Sequence, residues 1–134
     1  MVAIDTNIIV RLLTRDDEPQ YKKAFDLFEK YDIFIADTVI LETEWVLRYA
    51  YNFEQDSICD SFKKVFGLPN VHLSNPSRIA QAIQWHGEGL DFANALHLSQ
   101  CQEYECFYTF DSKFSSKAAE YCKCEVLNFQ STTI

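Results

Sequence analysis

An α/β fold on a mostly parallel sheet, with helices on both faces, is the architecture this chain predicts. Short apolar, strand-like runs alternate with longer helix-like stretches along its length. Gly and Pro are scarce and fall at connections: Pro19, Gly67-Leu68-Pro69, Pro76, and Gly87 with Gly89. The 134 residues suit one domain with a substantial core, spanning 1–134.

The run Val2–Ile4 predicts the first strand, and Asn7–Thr14 the first helix. A helix over Gln20–Lys30 leads to a second strand at Ile33–Ile35. The third helix, Thr38–Tyr51, takes Thr38 as its N-cap. Val39, Glu42, Val46 and Tyr49 share one face of it, so Glu42 interrupts an apolar stripe. Glu44 and Arg48 read instead as an ordinary i,i+4 surface pair. Beyond them come a helix at Glu54–Phe66, a strand at Val71–Leu73 and helices at Ser77–Trp85 and Asp91–Gln102. A strand at Phe107–Phe110, a helix at Ser112–Tyr121 and a last strand at Glu125–Leu127 complete the series.

Hydrophobic content of 48% with ordinary charge excludes a disordered chain. No apolar run approaches the roughly 18 residues that span a bilayer, and no secretory signal is visible, so a cytoplasmic protein is expected. Cys59, Cys101, Cys106, Cys122 and Cys124 include no CxxC pair and no zinc-finger spacing, and are expected to be reduced, several of them buried. The net charge of −8 argues against simple nucleic-acid binding through a basic face. It leaves room for an enzyme that holds phosphates through a metal, and it suits a basic protein partner.

Four acids carry the functional signal. Asp5 and Asp111 close strands, where ligands of open parallel sheets bind, and each precedes a helix. Glu42 lies on the apolar stripe, and Asp91 opens a helix with Asn94 on the same face. Carboxylates at such positions cost stability unless a cation binds between them. For Asp5 and Asp111, helix N-capping is the competing explanation. Thr6 and Asn7 are placed to hydrogen-bond a ligating carboxylate, and Thr109 to orient Asp111. Oxygen donors without a Cys/His set favour Mg²⁺ or Mn²⁺ over Zn²⁺. Such an ion would offset the repulsion among the acids, orient a phosphate and make water a better nucleophile. Arg11, Arg15, Lys113 and Lys117 flank the proposed crevice in sequence and are candidates to hold phosphate groups, or else lie on solvated helix faces. His72, His86 and His97 have no spacing that makes a site, and read as packed or surface residues. No phosphate-binding glycine loop and no GxSxG elbow is present.

Asp5, Glu42, Asp91/Asn94 and Asp111 occur in this order within Ile4-Asp5-Thr6-Asn7 with Arg11-Leu12-Leu13-Thr14, VILETEWVLRYAY (Val39 to Tyr51), GLDFANALHL (Gly89 to Leu98) and FYTFDSKF (Phe107 to Phe114). The set resembles the PIN-domain ribonucleases, and among them the VapC-type toxins of toxin–antitoxin pairs. The resemblance implies a three-layer α/β/α sandwich with a mostly parallel central sheet and a Mg²⁺ or Mn²⁺ site. The implied activity is endonucleolytic cleavage of RNA, blocked by a small cognate antitoxin, in a protein that is commonly a homodimer. Asp5, Glu42, Asp91 and Asp111 match the family's catalytic, metal-holding acids, and Thr6 and Asn7 its supporting polar residues. Asn94 stands where the family usually has a second Asp. An amide keeps a ligating oxygen but loses the charge, which lowers metal affinity. The alternative expectation is therefore a weakened or inactive module that still binds RNA or antitoxin. A phosphatase or phosphoacceptor domain built on Asp5 is a third, less well supported by Asn7.

Overall fold

The computed structural model describes residues 1–121 and 124–128. Among them are seven helices and five strands, in the order the sequence predicts. They divide into two compact units, Met1–Pro76 and a second beginning at Ser77.

The first unit runs β1 (Val2–Ala3), α1 (Thr6–Thr14), α2 (Glu18–Lys30), β2 (Ile33–Phe34), α3 (Asp37–Tyr49), α4 (Gln55–Phe66) and β3 (Val71–His72). The strands pair in the order β1-β2-β3, all parallel, with Val2 opposite Ile33 and Ile33 opposite Val71. Each connection is a crossover of two helices; parallel neighbours require a crossover. Ile4, Ile9, Val10, Ile33, Ile35, Ile40, Leu47, Ile58 and Phe62 are buried. Each such side chain contributes about 1.5–3 kcal/mol on leaving water.

The turn between α1 and α2 is held by polar contacts. Arg15 takes the left-handed conformation (φ 54°) that ends α1. Arg11 donates to Asp16 at 3.1 Å and to the Tyr51 hydroxyl at 2.9 Å, and Tyr51 donates to Asp16 at 2.7 Å. The Tyr51 and Thr14 hydrogen bonds hold the Asp16 carboxyl below the usual carboxylate range. Their stabilisation is present above that range and fades as the pH falls through the lowered value.

Helix α3 departs from expectation in three ways. Its N-cap is Ala36, with no side-chain cap bond, and Thr38 is exposed. Its buried stripe is Ile40, Thr43, Glu44 and Leu47. Glu42 is therefore exposed, as is Tyr49, and Glu42 does not interrupt the packed face. Glu44, expected on the surface, is 1% exposed. Arg48 pairs with it: Nη2 donates to Oε1 at 3.1 Å, and Nε lies 3.0 Å from Oε2. Two candidate stripes lie side by side on this helix, and packing buried the one made of Ile40, Thr43, Glu44 and Leu47. Tyr49, of the other stripe, meets Trp45 at the surface, their rings tilted with centroids 5.3 Å apart.

The second unit contains α5 (Pro76–Gly87), α6 (Phe92–Ser99), β4 (Cys106–Thr109), α7 (Ser112–Ala118) and β5 (Glu125–Asn128). β4 and β5 pair in parallel, Cys106 opposite Glu125, with α7 as the crossover. Phe114 of α7 meets Phe107 of β4 edge to face at 5.7 Å. Cys59, Cys101, Cys106 and Cys124 are free thiols, and burial pushes the Cys59 and Cys124 thiols up. Cys122 lies outside the described residues. Among the described residues no helix is long and apolar enough to cross a membrane.

Candidate functional site

In the first unit, parallel pairing puts the C-terminal ends of β1 and β2 on one edge, and α1 and α3 both start there. Asp5 caps α1, its Oδ1 accepting from the Ile8 amide at 3.4 Å. Thr6, the next residue, is buried and donates its hydroxyl to Oε1 of Glu42 on α3. That bond orients Glu42 beside the start of α1, one helical position from Asp5. Asn7 is exposed on the same first turn.

Asp91, Asn94 and Asp111 lie in the second unit. Asp91 caps α6, with Oδ2 accepting from the Asn94 amide at 3.2 Å. Asp111 caps α7, with Oδ1 accepting from Phe114 N at 3.0 Å. Thr109 accepts from the Asp111 amide at 3.0 Å and so shapes the turn that presents this carboxylate.

Three of the four acids are thus helix N-caps, and all four are exposed. Capping accounts for one oxygen of each aspartate and is worth about 1 kcal/mol. It removes the stability argument that singled these acids out: they are compatible with the fold as they stand. Capping does not account for Glu42, which accepts from a buried hydroxyl of another helix. The acid that does occupy a costly place is Glu44, and its partner is Arg48.

Asp5 and Glu42 in the first unit, and Asp91, Asn94 and Asp111 in the second, each offer oxygen, the donor type that hard divalent cations take. The Thr6 contact to Glu42 is the kind of supporting bond that orients a ligating carboxylate. Among the described residues no group of three or more His, Cys, Asp and Glu side chains is gathered as a metal cluster.

The basic candidates differ in what they touch. Arg11 is held by Asp16, Gln20 and Tyr51, and Arg15 by Glu18 while lying over the Tyr21 ring at 4.2 Å. Lys117 donates to the Gly89 carbonyl at 2.9 Å. Lys113 is exposed on the first turn of α7. His86 is buried, whereas His72 and His97 are exposed.

A family model for the PIN domain matches residues 2–120, running through both units and all four acids. The chain belongs to the PIN domain family. PIN domains are generally nucleases and generally use divalent metals, which places this PIN domain among hydrolases of nucleic acid. No curated protein and no solved structure matches the chain.

Gly89 is the residue on which the approach to Asp91 turns. Its φ of +113° is one that side-chain-bearing residues rarely adopt, and a Cβ there would stand 2.6 Å from Lys117 Nζ. Gly89→Ala is expected to cost roughly 1–3 kcal/mol, read as a lower urea midpoint. A midpoint equal to that of the parent protein would show that the segment relaxes freely.

Proposed function

We propose that this PIN domain, as a single nuclease domain over the whole chain, is a metal-dependent endoribonuclease that acts in the cytoplasm as the toxin of a toxin–antitoxin pair. The observation that carries the reading is the Thr6 bond to Glu42, which holds the second family acid against the residue that follows the first. The match through residues 2–120 supports the same roles for Asp91 and Asp111.

Asp5, Glu42, Asp91 and Asp111 hold Mg²⁺ or Mn²⁺, and Asn94 contributes a neutral oxygen. When bound, the cation offsets phosphate charge and polarises water for attack at phosphorus. Thr6 fixes the Glu42 carboxylate so that its second oxygen remains available. Asn7 is exposed on the first turn of α1, where it supports the same site, and Thr109 fixes the turn before Asp111. Lys113 is the basic residue best placed to meet the RNA backbone, because Arg11, Arg15 and Lys117 already hold groups of the protein. A basic antitoxin complements the net charge of −8. The exposed Trp45 and Tyr49 offer the kind of aromatic surface that protein interfaces favour, whether for the antitoxin or for a homodimer.

Cleavage of RNA by the parent protein and by Asn94→Asp, each with Mg²⁺ and with Mn²⁺, tests the reading. Both are expected to cut, with the added carboxylate tightening metal affinity on the order of tenfold. Cleavage gained only in Asn94→Asp would favour the alternative, an inactive module that retains RNA or antitoxin binding. Absence of cleavage in both would refute the nuclease assignment.

A further inference from the structure

The segment that delivers Asp91 has every backbone polar group engaged. Its amides turn back to the end of α5: Glu88 N donates to Gln84 O at 3.1 Å, Gly89 N to His86 O at 3.0 Å and Leu90 N to Trp85 O at 3.0 Å. Its three consecutive carbonyls are each taken by a side chain. Tyr121 Oη donates to Glu88 O at 3.3 Å, Lys117 Nζ to Gly89 O at 2.9 Å, and the buried His86 contacts Leu90 O through Nδ1 at 2.7 Å. A carbonyl only accepts, so Nδ1 carries the proton in that contact.

Glu88 and Gly89 are exposed, and water would satisfy their carbonyls without any side chain. Two of the three donors instead come from α7 and the residues just after it. The N-cap of that helix is Asp111. Lys117 and Tyr121 therefore tie the helix that presents Asp111 to the loop that presents Asp91. His86 holds the Leu90–Asp91 peptide from the other side, its ring meeting Phe92 edge to face at 5.4 Å.

We infer that His86, Lys117 and Tyr121 are positioning residues that set Asp91 relative to Asp111 by clamping the Glu88, Gly89 and Leu90 carbonyls. This rests on the reading of both aspartates as metal ligands. It gives Lys117 a role other than holding RNA: its ammonium acts on the protein backbone.

Lys117→Met keeps the apolar stem and removes the donor, Lys117→Arg keeps a donor, and Tyr121→Phe deletes one hydroxyl with little risk to folding. Amide exchange is followed in the metal-free full chain, and Mn²⁺ affinity is measured by calorimetry. Lys117→Met is expected to speed exchange at Gly89 and Leu90 about tenfold, with distant helices unchanged. It is also expected to weaken Mn²⁺ binding by about tenfold or more. Tyr121→Phe should do the same to a smaller degree, and Lys117→Arg should restore both. Exchange that stays unchanged, or rises equally over the whole molecule, would overturn the inference. So would unaltered Mn²⁺ affinity in Lys117→Met. A parent protein that binds no Mn²⁺ would instead refute the metal-site reading, leaving the clamp itself to be judged by the exchange data.

Discussion

Asp5→Asn is expected to abolish cleavage and to weaken Mn²⁺ binding by about a hundredfold or more while leaving the fold intact. Asp5 has two separable tasks. Its Oδ1 caps α1 through Ile8 N, and Asn caps helices about as well as Asp. The substitution thus preserves the cap and deletes the negative charge. Asp5→Ala would remove both and add a stability loss of about 1 kcal/mol, which blurs the result. Calorimetric Mn²⁺ titration, single-turnover RNA cleavage and a urea midpoint together make the comparison clean. Unchanged Mn²⁺ affinity with unchanged cleavage would remove Asp5 from the site.

The second large effect is one of stability. Arg48→Met is expected to cost about 3–5 kcal/mol, a substantial share of the roughly 5–15 kcal/mol that holds a domain of this size together. The reason lies in the asymmetry of burial: the Glu44 side chain is 1% exposed and the Arg48 side chain 33%. Removing Arg48 takes the cationic partner from a carboxylate that cannot reach water. Removing the carboxylate instead leaves a guanidinium that already reaches solvent, so Glu44→Met should cost distinctly less. The double replacement by Met should recover most of the loss, since an apolar pair of similar volume needs no desolvation. Equilibrium urea unfolding of the four proteins checks the order. If Arg48→Met falls within about 0.5 kcal/mol of the parent, the pair has no such role.

The α3 result shows where sequence reading stops. Helical periodicity identifies stripes, but this helix carries two that are plausible. Val39, Val46 and Tyr49 form an apolar stripe on paper, with Glu42 inside it; Ile40, Thr43, Glu44 and Leu47 are the residues that pack. A charge with an i,i+4 partner reads as surface in either case. Which stripe is buried depends on where neighbouring elements of the unit lie, and no local pattern records that. The clamp before Asp91 is hidden for the same reason. Lys117 and Tyr121 are 28 and 33 residues from the carbonyls they hold, and in sequence they look like any polar residues late in a helix.

By itself the sequence determined the order and type of the elements, because strand and helix signals are local and Gly and Pro mark the connections. It also determined family membership, because four acidic motifs in register are a property of the chain alone. It singled out Asp5, Glu42, Asp91 and Asp111 as costly, misplaced charges, and there tertiary structure decided otherwise. Three of them cap helices and all four meet solvent, so they cost the fold little. The buried charge is Glu44, stabilised by Arg48. What a charge costs depends on its solvation and its partners, and both are set by residues brought near in space.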